Sequence, residues 1–307
     1  MVNRSVGALA FCSVLLVVGA PPSTATPPGS NGAIAFSRNG HVWVIQADGT
    51  QTKIARGYDP AWSPDGTRIA YVRQTFHGSR PHIWIMAADG TDKMQVTQTR
   101  SFDASPDWSP DGSTLVYSRS GQRRVELRTI SAEAPFGSSA ELTDTPMRRE
   151  SQAAWSPDGS RIAFSAFDCN LRGICGTRLG VVGADGTGYT LLTPAREQNG
   201  DPDWSPDSST LLFTSDGGST DDFDVFSMSA SGGPRTRLTN GRGDWDTSPS
   251  WSPDGTSFVY EHLSTGGTFT LRISSLDGSS VTTLCRANDD SSGAGPDWQT
   301  LPVPRKR

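Results

Sequence analysis

From residue 32 onward the chain is broken into short apolar runs separated by Gly, Pro, Asp and Ser. One set reads "RIAYVR" (68–73), "TLVYSR" (114–119), "RIAFSA" (161–166), "TLLFTS" (210–215) and "SFVYEH" (257–262). Apolar side chains fall on both faces of these runs, as in strands packed on both sides. A second set follows after a variable loop: "HIWIMA" (82–87), "VELRTI" (125–130), "RLGVVG" (178–183), "DVFSMS" (224–229) and "TLRISS" (270–275). Neither set is long enough for a helix, and no i, i+3, i+4 spacing runs through them. The pattern predicts an all-β chain.

One phrase precedes every run of the first set. It reads "PAWSPDG" (60–66), "PDWSPDG" (106–112), "AAWSPDG" (153–159), "PDWSPDS" (202–208) and "PSWSPDG" (249–255), and "PDWQTL" (296–301) begins it again without the turn. In Ser-Pro-Asp-Gly the proline pre-sets the first turn position and the glycine is free to take a positive φ. Ser208 stands where the other copies have Gly66, Gly112, Gly159 and Gly255. A serine at positive φ costs about 1 kcal/mol. The tryptophans Trp62, Trp108, Trp155, Trp204, Trp251 and Trp298 lie 46, 47, 49, 47 and 47 residues apart. A fixed period of this length without helical patterning marks a β-propeller with one four-stranded blade per repeat.

The two ends of the chain complete each other. "GAIAFSR" (32–38), "HVWVIQADGT" (41–50) and "QTKIA" (51–55) match a second, third and fourth strand with no first, and "PDWQ" is a first strand with nothing after it. Together they make one blade, so the sequence predicts a six-bladed propeller of four-stranded blades. N-terminal strands pair with the C-terminal strand and remove the open edges. The expected organisation is a leader over 1–25, a short linker over 26–31, the propeller over 32–299 and a tail over 300–307.

The Trp-Ser-Pro-Asp-Gly phrase, the apolar strand after it and the later "ADG" and "LT" resemble the TolB-type repeat, the WD40-like Pro-Asp repeat. The resemblance covers about 32–299 and implies the propeller fold. It implies less about function, because the repeat serves binding proteins and also accompanies peptidase domains. The sequence shows neither the α/β domain that precedes the propeller in TolB nor the GxSxG elbow of a hydrolase. Oligogalacturonate lyases, with a related repeat, use metal-binding histidines, and no matching set is found in this chain.

Composition agrees with the strand reading: 34 % hydrophobic residues, 33 Gly and 21 Pro. A net charge of −5 argues against a polyanion partner such as nucleic acid, with Arg123–Arg124 and Arg148–Arg149 as the candidate basic patches. "MVNR", the apolar run 5–20 and the small residues up to Ala25 read as an export signal, and the apolar run is short for a membrane span. The expected location is therefore extracytoplasmic: secreted, periplasmic or at the cell envelope. In that compartment Cys169 and Cys175, six apart in one loop, read as a disulfide. Cys285 is left over and is expected to be buried in an outer strand.

Candidate chemistry rests on carboxylates. Asp59, Asp103, Glu150, Asp201 and Asp246 stand just before first strands, and Asp107, Asp203 and Asp297 directly precede the tryptophan. First strands line a propeller's axis, so Asp59, Asp103, Glu150, Asp201, Asp203 and Asp246 are read as a ring at one channel mouth. Such a ring would draw in a basic segment or hold a cation, Ca²⁺ being the ion its oxygens suit. The competing reading is that these residues cap turns. The turn aspartates Asp65, Asp111, Asp158, Asp207 and Asp254 are assigned to their turns. His41, His77, His82 and His262 are placed in loops between second and third strands, and no metal or catalytic set is assigned. The function expected is a non-catalytic, monomeric scaffold for a protein or peptide partner, with no resident cofactor. The alternative is a secreted hydrolase, lyase or lactonase using the axial pocket.

Overall fold

The structure is a computed structural model of the whole chain. It describes residues 29–75, 80–121, 124–145, 149–169, 175–218, 222–287 and 295–301. The leader over 1–25, residues 26–28 of the linker and residues 302–307 of the tail lie outside the described residues, as do His77, Arg123 and Arg148. No described helix is long and apolar enough to cross a membrane.

The described residues form an all-β propeller. The turn phrase shows why each repeat starts as it does. In the first copy Ser63 N–H bonds Arg68 O at 2.9 Å, and Gly66 N–H closes the turn on Ser63 O at 2.8 Å. Asp65 accepts from Ser63 Oγ at 2.6 Å and from Thr67 N–H at 3.0 Å. Ser63 Oγ in turn accepts from Arg68 N–H at 2.9 Å. The same bonds recur around Asp111, Asp158, Asp207 and Asp254. Hydrogen bonds from Ser205 and Ser209 hold the Asp207 carboxyl below its ordinary range. These aspartates serve their turns, as expected.

Each repeat runs outward from an inner strand ending at or just after its tryptophan. The inner strands are Tyr58–Trp62, Phe102–Trp108, Arg149–Trp155, Asn199–Trp204 and Trp245–Trp251 in repeats one to five, and Asp297–Leu301 in the closing repeat. The closing repeat forms as anticipated. Asp297–Leu301 pairs antiparallel with Ser30–Arg38, with Ile34 opposite Trp298 and Ala35 opposite Asp297. Successive inner strands touch in the order one, two, three, four, five, closing and back to one, so the ring is shut. The expectation of six separate sheets needs one correction. Four sheets have four strands each, and repeats two and three share one eight-stranded sheet. They are joined by a single parallel pair, Val125 with Arg149.

The core is distributed around the ring. Each of the six buried apolar clusters bridges the seam between neighbouring repeats. At the seam of repeats one and two, Ala61, Val72, Ile83 and Ile85 meet Trp108, Leu115 and Tyr117. The repeat tryptophans belong to these seams. Trp62, Trp108, Trp204 and Trp251 are buried, and Trp155 and Trp298 pack at their seams partly buried. Arg68 stacks over Trp108 and Arg161 over Trp204, at 4.7 and 4.8 Å from the ring centres. Cys169 and Cys175 form the expected disulfide between paired strands. Cys285 is buried on the outer strand Val281–Ala287.

Candidate functional site

Counting back from each tryptophan, the third residue of every inner strand in repeats one to five has a left-handed backbone. These are Asp59, Ser105, Gln152, Asp201 and Ser248, with φ of 60°, 50°, 54°, 50° and 51°. A β-bulge lies at each: pairing with the second strand skips between Tyr58 and Ala61, Ala104 and Asp107, Ser151 and Ala154, Gly200 and Asp203, and Thr247 and Ser250. Left-handed backbone costs a non-glycine residue roughly 1–2 kcal/mol, so five copies represent stored strain around one axis. The bulge turns the three residues before each tryptophan inward. They line an axial cavity of about 510 Å³.

Its wall carries Asp59, Asp107, Asp201, Asp203 and Asp297, and among the described residues no Lys, Arg or His. The residue directly before the tryptophan alternates: Ala61, Asp107, Ala154, Asp203, Ser250, Asp297. The three aspartates of this alternation reach across seams to the next tryptophan's backbone. Asp297 accepts from Trp62 N–H at 2.5 Å, Asp107 from Trp155 N–H at 2.6 Å and Asp203 from Trp251 N–H at 2.7 Å. They also border a smaller cavity of about 160 Å³ on the turn side of the ring. They therefore form the waist of the channel. Burial pushes Asp107 up to about 7 and Asp203 to about 6, and holds Asp297 well above the usual carboxylate range.

Asp59 and Asp201 sit above the waist, at the mouth where the inner strands begin. Asp59 accepts from Ser105 N–H at 2.6 Å. Asp201 accepts from Gln152 Nε2, and from Thr214 Oγ1 at 3.1 Å. Burial raises both, and the charge of Asp201 adds to the rise at Asp59.

Asp103, Glu150 and Asp246 do not line this cavity. They lie five residues before the tryptophan, on the far side of the bulge, and are engaged by side chains of their own or the preceding repeat. Asp103 pairs with Arg119 at 2.7 Å and His82 at 3.3 Å. Glu150 accepts from Thr143 and Thr145. Asp246 meets His262 at 2.7 Å. Of the six residues read as one ring, Asp59, Asp201 and Asp203 are brought together at the axis. His262 also departs from its assigned loop: it is buried in the second strand Ser257–Leu263, at the position that Arg119 holds in the second strand of repeat two. Arg124 is engaged by Glu126, Glu141 and Asp144, at 2.7, 3.1 and 3.2 Å. Among the described residues no three His, Cys, Asp or Glu are grouped so as to hold a metal ion, and no place is assigned to Ca²⁺.

Sequence reading missed Glu261. It occupies the fifth place of its second strand, where the other repeats have Ser37, Val72, Ser118, Ser165 and Thr214. Ser37 accepts from Asp59 N–H at 3.0 Å and Thr214 from Ser248 N–H at 2.9 Å, so this position backs the bulge of the next repeat. Glu261 is 7 % exposed, and among the described residues none donates a hydrogen bond to it. Burial, reinforced by the charges of Asp201 and Asp59, pushes its carboxyl to about 8.

Comparison with known proteins agrees with this architecture. A curated relative, an uncharacterized protein of Agrobacterium fabrum, is 39 % identical over 101 residues, 33 % of this chain and 31 % of the relative. The solved TolB of Acinetobacter baumannii superposes with a TM-score of 0.71 at 21 % identity, over 87 % of this chain and 66 % of TolB. An oligogalacturonate lyase of Vibrio parahaemolyticus shares the fold, with a TM-score of 0.55 at 14 % identity over 84 % of this chain and 75 % of the lyase. The chain thus spans less than two thirds of the length of the first two. The family model of the TolB beta propeller domain matches residues 41–168 and 150–301, and the chain belongs to that family.

Proposed function

We propose that this protein is an exported, non-catalytic binding module that takes a basic segment of a protein partner into its axial cavity. One observation carries the reading: a cavity of about 510 Å³ walled by five aspartates and, among the described residues, by no cationic side chain. Walls of low dielectric focus such a field, so a cation is drawn in and held more firmly than on an open surface. The volume suits one or two side chains of a segment. Around the same mouth Phe102 and Trp245 open their inner strands and Phe167 lies opposite Arg149, each more than two-fifths exposed. These rings offer apolar surface to residues flanking an inserted basic one. The disulfide Cys169–Cys175 supports an oxidising location.

No described feature favours an enzyme to the same degree. Among the described residues His82 and His262 pair with carboxylates, and no hydrogen bond joins either one to a Ser, Thr or Cys. Likeness to the lyase is likeness of fold.

Fluorescence anisotropy with labelled short peptides tests the reading. Lys/Arg-rich peptides should bind at low salt and weaken as salt rises, acidic peptides of equal length should not bind, and Asp59→Asn with Asp201→Asn should lose the cationic peptides while remaining folded. Equal binding of acidic and basic peptides would exclude the cavity as the site. For location, mass spectrometry of secreted or envelope material should find chains lacking the leader, and an intact Met1 there would contradict cleavage.

A further inference from the structure

We propose that an arc of arginines beside the mouth is the second half of the binding surface, and that the entering segment carries Asp or Glu about two to four residues from its basic residue. This rests on the binding role above and names the chemistry of the partner. The topology builds the arc, because second and fourth strands end, and third strands begin, on the mouth side. In the closing repeat that side carries Arg38 at the end of Ser30–Arg38 and Arg56 at the end of Gln51–Arg56. In repeat one it carries Arg73 at the end of Arg68–Arg73, Arg80 in the loop before His82–Ala87, and Arg100 in the loop before Phe102–Trp108. Arg56, Arg80 and Arg100 are exposed, and among the described residues none of the five forms an ion pair. The described carboxylates of these two repeats lie elsewhere. Asp48, Asp65, Asp89 and Asp92 are in loops on the turn side, and Asp59 faces the cavity. Asp103, which follows in repeat two, is buried against Arg119 and His82.

Across the ring, in repeats three and four, arginines are matched instead: Arg178 with Asp168, Arg235 with Glu197 and Arg237 with Asp224. The unmatched arc is also held in place. Arg38 lies over Trp43 at 3.8 Å from the ring centre, Arg73 over Trp84 at 4.8 Å and Arg80 over Phe102 at 4.9 Å. Stacking fixes the plane of a guanidinium and leaves its N–H edge to meet a carboxylate through two hydrogen bonds. All five cations are arginines, and the lysines Lys53, Lys93 and Lys306 are not among them. The arc continues into the cavity wall. Arg56 is separated from Asp59 by Gly57 and Tyr58, and Tyr58 and Asp59 both line the cavity. Arg73 belongs to the next strand out, where its neighbour Val72 pairs with Tyr58. Adjacent strands lie about 4.8 Å apart and an extended chain advances about 3.3 Å per residue. An acid two to four residues from a base seated on Asp59 therefore meets arginines one to two strands out. A uniformly acidic polymer or an anionic membrane would suit the arc but oppose the aspartates of the cavity. A segment bearing both signs satisfies both halves.

Titration calorimetry of the purified chain at pH 8.5 in low salt tests this. The probes are acetyl-Glu-Glu-Ala-Lys-Ala-amide and acetyl-Ala-Lys-Ala-Glu-Glu-amide, each against its counterpart with Gln-Gln for Glu-Glu. In at least one order the acidic version should bind about tenfold more tightly than its counterpart, and the gain should shrink as salt rises. Arg56→Gln with Arg100→Gln changes two exposed side chains. It should remove most of the gain and leave the Gln-Gln peptides within about threefold of their original affinity. Arg73→Lys should lose part of the gain, because lysine lacks the fork. Thermal melts report whether each variant is folded, and the peptide comparison on the unaltered chain tests the claim without any variant. If neither acidic version gains while the Gln-Gln peptides bind and are lost in Asp59→Asn with Asp201→Asn, the cavity stands and the arc is wrong. A gain that survives Arg56→Gln with Arg100→Gln also overturns the arc. Equal binding of acetyl-Glu-Glu-Ala-Gln-Ala-amide would make the arc an anion site of its own and overturn the two-signed segment. Phosphatidylglycerol vesicles that bind the chain and displace the peptides would assign the arc to a membrane instead. If no peptide binds, the binding role falls and this inference with it.

Discussion

Six carboxyl groups near the axis divide into two sets of three at different levels of the ring. At the waist, Asp107, Asp203 and Asp297 each accept a tryptophan backbone N–H across a seam, at 2.5 to 2.7 Å. They tie repeats in pairs: closing with one, two with three, four with five. At the mouth, Asp59 and Asp201 accept bonds from neighbouring repeats, while Glu261 accepts none from a described residue. Both sets are pushed upward by burial, so a raised pKa does not separate them. What separates them is their level along the axis: the waist set grips the tryptophan backbone, and the mouth set stands at the bulges where the inner strands begin. Of the six, five accept a hydrogen bond across a seam, and Glu261 alone accepts none from a described residue.

The severest way to break the waist is to remove a third of it with its strand. Deleting residues 296–307 takes away Asp297, Trp298 and the pairing with Ser30–Arg38, leaving an open edge. Loss of a packed tryptophan alone costs about 3–5 kcal/mol, a large share of the roughly 5–15 kcal/mol that holds a domain. The truncated chain should lose its cooperative melt or melt far lower, and an unchanged melting temperature would refute the clasp. A narrower cut is Asp203→Ala. It strands the Trp251 N–H at a seam and should cost about 1–3 kcal/mol, several degrees in a thermal melt.

pH acts on both sets at once, and its sign follows from the direction of the shifts. The folded state holds protons on Glu261 to about 8, on Asp107 to about 7 and on Asp203 to about 6, where the unfolded chain has released them. Stability should therefore fall as pH rises from about 4.5 through 8. The turn aspartates Asp111 and Asp207 are lowered, so their contribution is lost only as pH falls below their ordinary range. Melting temperature should peak on the acid side, and Glu261→Gln should flatten the alkaline decline. A melting temperature that rises steadily from pH 5 to 8.5 would contradict the assignment. The smallest effect is expected at Ser208→Gly. Ser208 has φ of 60°, a cost of about 1 kcal/mol, but its Oγ accepts Asp158 N–H at 3.0 Å, worth about as much. The two should nearly cancel, and a shift of several degrees either way would show that one dominates.

Much of the ring was legible in the sequence. The spacing of the tryptophans, the turn phrase and the split closing repeat led to it. Even the alternation of Asp with Ala or Ser before the tryptophan stands in the repeats, once they are read two at a time. The mouth was harder. Asp59 and Asp201 precede their tryptophan by three residues, and Asp103, Glu150 and Asp246 by five, and strand alternation alone puts both sets on one face. The bulge breaks that alternation, and no residue type announces it: Asp, Ser and Gln all adopt the left-handed backbone there. The fusion of repeats two and three depends on one bridge, too local for any pattern to reveal. Glu261 was visible as the lone acid in "SFVYEH", where the other repeats have Ser, Thr or Val, but only the fold relates that position to the mouth.

The division between waist and mouth meets its most direct test within repeat four, where the two kinds of carboxyl stand two residues apart. The melting temperature and the affinity for acetyl-Ala-Lys-Ala-amide at pH 8.5 should be measured together for Asp203→Ala and Asp201→Asn. Asp203→Ala should melt several degrees lower and keep its affinity within about threefold, while Asp201→Asn should melt within about two degrees of the original and lose most of its affinity. If the two variants lose stability and affinity in parallel, or if Asp201→Asn unfolds the chain while Asp203→Ala abolishes binding, the distinction between the two sets is wrong.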